Sequence, residues 1–141
     1  MKSVLNISSS ILLGIIIFLA SEPFGYADKI PSQVAVRIIV NEGADQGLKG
    51  MICIGEVLRL RGSVKGFYGY RSNRMKAQSA LVWKTAAKAW ILSLHTNYTN
   101  GADHFENIHS FGKPWWAKYC VKTYEYKDHV FYKESVIPRF N

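Results

Sequence analysis

Glu42 stands where a carboxyl is unexpected. The run VAVRIIV, residues 34–40, is apolar apart from Arg37. Asn41 and Glu42 close it before Gly43 and the small polar turn ADQG. A carboxyl at the rim of an apolar core, with small residues beside it to admit a ligand, suits a general acid. Partial desolvation favours the protonated form, so a proton is held for a leaving oxygen near neutral pH. A glutamate facing solvent at a helix end is the other reading of the same residue. In that reading its charge opposes the helix macrodipole at a cost of roughly 0.3 kcal/mol or more, a small misfit that a functional role explains.

Two further groups can do chemistry. The second half is dense in rings: Phe67, Tyr68, Tyr70, Trp115, Trp116, Tyr124, Tyr126, Phe131 and Tyr132. Aromatic faces stack on the apolar faces of sugars, and they fill cores equally well. Trp115 and Trp116 are adjacent, so an extended chain points one inward and offers the other to a groove. The second group is ADHFENIH, residues 102–109, which gathers Asp103, His104, Glu106, Asn107 and His109. A metal site does not fit: the HExxH order is absent, the two histidines are five apart, and no CxxC or third histidine lies close. No metal or other cofactor is expected. As a strand the segment sets His104, Glu106 and Ile108 on one face and Phe105 and Asn107 on the other, a polar edge fit to line a groove. His129, before VFY, suits either a hydrogen-bonded structural histidine or a ligand contact. No histidine is placed beside Cys53 by sequence to make a nucleophilic pair.

The elements that must position these residues are legible in part. PSQVAVRIIVNE opens with Pro31-Ser32, a good helix start, but its Val and Ile content suits a buried strand as well. In LKGMICIGEVLRLRG, residues Leu48, Met51, Ile52, Gly55 and Leu58 form one helical stripe, with Lys49, Glu56 and Arg59 largely off it and Gly62 closing the helix. GSVKGFYGYRSN is a glycine- and aromatic-rich loop. A third helix is expected over about 75–95, with Ala80, Trp83, Ala87, Trp90 and Leu94 inward and Lys84 and Lys88 elsewhere. The last third is β-prone, cut by turns at Gly112-Lys113-Pro114 and Lys127-Asp128. Three helices followed by a small antiparallel sheet is an α+β pattern.

A chain of 141 residues holds one small domain. Its start reads as an address: Lys2, then the apolar ILLGIIIFLA at 11–20, then GYA before Asp28. The apolar stretch is shorter than the roughly 20 residues a bilayer span needs. Residues 1–27 are therefore expected to be a secretory signal peptide and 28–141 the working domain, in a secreted or periplasmic protein. An uncleaved anchor, which alone would bring a membrane contact, is the alternative. The segment carries one basic and one acidic residue, so the net charge of +8 stays with the domain. That charge favours an anionic partner, and export favours the cell wall over nucleic acid, for which no binding signature is present. Cys53 and Cys120 permit one disulfide outside the cytoplasm or two buried thiols.

With these residues assembled, the chain resembles the spore cortex-lytic enzyme family of bacterial cell wall hydrolases over about residues 31–133. EGADQGLKGMICIGEVLRLR matches the family's first block: Glu42 falls on its catalytic glutamate, Gly50 on its helix glycine and Arg61 on its terminal arginine. GADHFENIHSFGKPWWAK and TYEYKDHVFYK match the C-terminal block through His104, Phe105, Pro114, Trp116, Thr123, His129, Phe131 and Tyr132. The chain departs from the family at Gln46, in place of its second acid, at Gly43, in place of an alanine, and at Leu60, before the arginine.

The resemblance implies that Arg37 to Glu42 is helical, within a lysozyme-like α+β fold. It also implies cleavage of the bond between N-acetylmuramic acid and N-acetylglucosamine in peptidoglycan, with Glu42 catalytic and Tyr70, His104, Glu106, Trp116 and His129 on the substrate. A single glutamate points to a lytic transglycosylase. Hydrolysis would call for a second carboxylate, with Asp45, Asp103 and Glu106 as candidates. Glycan strands are the expected partner and a monomer the expected state. A non-catalytic, basic wall-binding protein or a tethered envelope adaptor is the reading from a different class.

Overall fold

The computed structural model describes residues 29–67, 69 and 72–135, without the side chain of Arg74. The expected signal segment and Tyr70 lie outside the described residues. Four helical stretches come first: α1 (Ser32–Gly43), α2 (Gly47–Arg61), the single turn α3 (Asn73–Lys76) and α4 (Ala80–Leu92). Strand β1 (His104–Asn107) follows, then the turn α5 (Ile108–Phe111), a 3₁₀ helix (Trp115–Tyr119), β2 (Cys120–Tyr126) and β3 (His129–Glu134). This is the α+β order expected from the sequence.

The alternative left open for 34–42 resolves as helix. Ala35, Ile38, Ile39 and Val40 are buried and Arg37 is exposed, a helical and not an alternating pattern. The Pro31 carbonyl accepts the amides of Val34 and Ala35, so the proline serves the first turn without needing an N–H. Gly43 lets α1 cross close over α2: a Cβ there would stand 2.6 Å from Ile54 Cδ1.

Helix α2 is the centre of the molecule, and here the expectation of a one-sided stripe is corrected. Gly50 to Leu58 are buried without interruption, Glu56 included. Met51, Ile52, Ile54 and Leu58 join the core shared with α1 and α4, while Cys53 and Val57 pack with Ala102 and Phe131 of the sheet side. A helix covered all round must be apolar all round. The one exception, Glu56, is met by three donors: Tyr98 N to Oε1 at 2.9 Å, and Thr99 N and Thr99 Oγ1 to Oε2 at 2.9 and 2.8 Å. Gly62, at φ +58°, ends the helix with its N–H on the Leu58 carbonyl.

The third helix differs from the expected 75–95. Ser72 and Ser79 each cap a separate helix, their hydroxyls accepting from Met75 N and Val82 N, so one long helix becomes α3 and α4. The inward residues of α4 are Ala86, Ala89 and Trp90; Ala87 and Leu94 face solvent. Packing against α1 and α2 selects this face.

The sheet is antiparallel in the order β1-β3-β2, with His104 opposite Tyr132 and Phe105 opposite Phe131. Lys127 and Asp128 form the two-residue β2–β3 turn, Lys127 at φ +50°. Central β3 is covered on both faces. Phe131 packs toward α2, where full burial of such a side chain contributes about 1.5–3 kcal/mol. Val130 and Tyr132 pack under the 3₁₀ helix beside Trp116 and Ala117. Two expectations are corrected: Ile108 lies in α5, not on β1, and Trp115-Trp116 open a 3₁₀ helix rather than an extended strand.

Candidate functional site

Where the end of α1 faces the edge strand β1, a groove of about 1000 Å³ opens. One wall is Asn41, Glu42, Ala44 and Asp45, from the end of α1 and the turn after it. The opposite wall is β1 with Ser110, Phe111, Trp115 and Trp116. His129 and Phe105 lie between, and Arg61, Lys65, Gly66 and Phe67 close one end. The fold thus gathers Glu42, His104, Glu106, Trp116 and His129 from four separate elements, with His104 and Glu106 sharing β1. Tyr70 lies outside the described residues.

Glu42 is half-buried at the second-last position of α1. Asn41 Nδ2 donates to its Oε1 at 2.9 Å. Asn41 is held in turn by Ser72 Oγ, which donates to Oδ1 at 3.1 Å. Gly69 lies flat against this amide: a Cβ there would come within 2.2 Å of Asn41 Nδ2. Only glycine allows that approach, so loop and α3 together fix the residue that orients Glu42. Sequence reasoning missed Asn41. The available signal was a polar side chain ending an apolar run directly before the carboxylate.

On the facing wall, His104 Nδ1 stands 2.7 Å from Asp103 Oδ1, and its ring lies tilted against Trp116, centre to centre 5.1 Å. Trp116 meets Tyr132 edge-on at 5.4 Å. Asp103 Oδ1 also accepts from Glu134 N. Asp103 does not line the groove, whereas Asp45 and Glu106 do. Of the three candidate second carboxylates, Asp103 is therefore turned to His104 and away from a ligand. Glu106 Oε1 accepts the Asn107 amide at 3.0 Å. Trp115 is 76 % exposed and Phe111 78 %, leaving two open rings at the rim.

His129 is 4 % exposed, edge-on to Phe105 at 5.2 Å. Burial holds its imidazole below the usual histidine range, against the opposing pull of Asp45 and Asp128. The neutral ring is the form that suits this apolar wall. Arg61 places its guanidinium 4.7 Å from the Phe67 ring centre and donates to the Lys65 carbonyl, which holds the loop that ends the groove.

Gln46 is 1 % exposed and does not line the groove. Its Nε2 donates to Asp45 Oδ1 at 2.9 Å and Asp128 Oδ2 at 3.3 Å, pinning the β2–β3 turn to the α1–α2 turn. An amide fits between two carboxylates where a third acid would be repelled. Cys53 and Cys120 are free; Cys53 is buried and Cys120 half-buried against a different cluster, and burial pushes the Cys53 thiol up to about 12. Such a thiol is no nucleophile at neutral pH. No three His, Cys, Asp or Glu residues among those described are placed to hold a metal ion. No described helix is long and apolar enough to cross a membrane.

Comparison of the chain with protein-family models, with curated proteins and with solved structures finds no match to any of them.

Proposed function

We propose that this chain is an exported peptidoglycan-cleaving enzyme with a lysozyme-like fold, acting on the bond between N-acetylmuramic acid and N-acetylglucosamine with Glu42 as its acid and base. The observation that carries the reading is Glu42 itself: a half-buried carboxyl, oriented by Asn41, on the wall of an aromatic-rimmed groove of about 1000 Å³. The resemblance of its surrounding sequence to the spore cortex-lytic enzymes supports the same choice. The edge position of β1 leaves outward backbone groups for the acetamido groups of a glycan, and His104, Trp116 and the open Trp115 offer ring faces to its sugars.

The chemistry needs one carboxyl. Glu42 gives its proton to the glycosidic oxygen, the C1–O bond breaks, and the oxygen leaves as the free hydroxyl of N-acetylglucosamine. The C6 hydroxyl of the muramic sugar then bonds to C1 as the Glu42 carboxylate takes its proton. Proton and carboxyl are restored, no water is consumed, and the product is a 1,6-anhydro sugar. Hydrolysis would place a second carboxylate about 5 Å away for a covalent route, or farther for a water-activating one, and Asp45 and Glu106 are the groove-lining choices.

Mass analysis of fragments released from purified sacculi tests the proposal. Anhydro-muropeptides are expected. Reducing-end fragments would replace transglycosylation by hydrolysis. Protein that pellets with the wall in a salt-sensitive manner and releases nothing would replace the enzyme by a wall-binding protein.

A further inference from the structure

The positive charge of this chain is not spread along it. Eight of the 18 basic residues and none of the ten acidic ones lie between positions 57 and 102, and the rest of the chain is balanced. Helix α4 belongs to that segment. Its inner side meets the core through Ala86, Ala89 and Trp90. Its outer side carries Leu81, Lys84, Lys88 and Ile91, spaced three, four and three apart, which is one stripe of a helix. Leu81 is 72 % and Ile91 60 % exposed. No residue of α4 lines the groove.

Folding gains little from this stripe. Two large aliphatic side chains stay in water, and two lysines one turn apart repel each other slightly. A polyanion such as a sugar phosphate would use the lysines and leave Leu81 and Ile91 idle. An anionic lipid surface uses all four: ammonium groups reach the phosphodiester level while the lysine stems and the apolar side chains enter the headgroup boundary. We propose that the outer face of α4 docks this protein on an anionic bilayer surface, independently of the N-terminal apolar segment and with the groove left open.

Vesicle sedimentation of the full chain tests this, with phosphatidylcholine alone or mixed with phosphatidylglycerol. Binding is expected only with the anionic lipid, and amide exchange across 80–92 should slow in the bound state. Replacing Leu81 and Ile91 together by Ser, which keeps the charge, should weaken binding about ten-fold, as should Lys84→Glu with Lys88→Glu. These side chains are exposed, so an unchanged melting temperature serves as the folding control. Wild-type binding by the serine pair, or slowed exchange that spares 80–92, would overturn the proposal and assign the contact to a polyanion site or to the N-terminal segment. Sacculus digestion by the same variants should stay at the wild-type rate, which separates this test from that of the groove.

Discussion

The end of α1 and the middle of α2 each carry a glutamate, and the two are treated in opposite ways. Glu56 is walled in, 8 % exposed, with both oxygens met by donors from one loop. Those bonds tie the 97–99 loop to the central helix and leave the carboxylate nothing further to do. Glu42 is half-buried on a groove, with an amide that aims it. A buried charge with its partners built in serves stability, whereas a carboxyl on a groove wall stands where a ligand can reach it. Burial alone would single out Glu56, which does not line the groove.

The largest expected effect sharpens that difference. Glu42→Gln should lower turnover by at least about a thousand-fold, near the upper end for a general acid–base, while chemical denaturation shows stability changed by less than about 0.5 kcal/mol. Glu56→Gln should do the reverse. Its new amide nitrogen faces donors, so unfolding should become easier by roughly 2–4 kcal/mol, with activity per folded molecule retained. A stable but inactive Glu56→Gln would break the comparison.

Asn41→Ala comes next. Loss of the amide that orients Glu42 should cut turnover about ten- to a hundred-fold with a smaller change in KM, measured by initial rates on soluble glycan fragments. The smallest effect concerns pH. His129 is held neutral by burial, so its folded-state pKa lies below the unfolded one. The unfolded chain then binds the proton first, and stability is lost as pH falls below about 6.5, by at most about 1.4 kcal/mol per unit. Above that pH the group contributes no slope. Denaturation of wild type and His129→Gln at stepped pH should show this segment in the wild type alone.

How far the sequence went depends on what each residue type can encode. The α+β order, the α2 end at Gly62 and the Lys127-Asp128 turn were readable because glycine, turn residues and spacing act locally. Glu42 was readable as a carboxyl out of place. The burial of Glu56 was not, because its partners Tyr98 and Thr99 are distant in the chain. The inward face of α4 was read in part: Trp83 and Trp90 pack on the core as expected, whereas Ala86 and Ala89 turn inward in place of Ala87, a choice that only the neighbouring helices make. Asn41 gains its meaning from Ser72 and Gly69, which no local pattern connects to it.

The most direct measurement is a digest of purified sacculi by three proteins at equal folded concentration: wild type, Glu42→Gln and Glu56→Gln, with soluble fragments identified by mass. If Glu42 is the catalytic carboxyl, anhydro-muropeptides are expected from wild type and Glu56→Gln and none from Glu42→Gln. Fragments released by Glu42→Gln at the wild-type rate would contradict it.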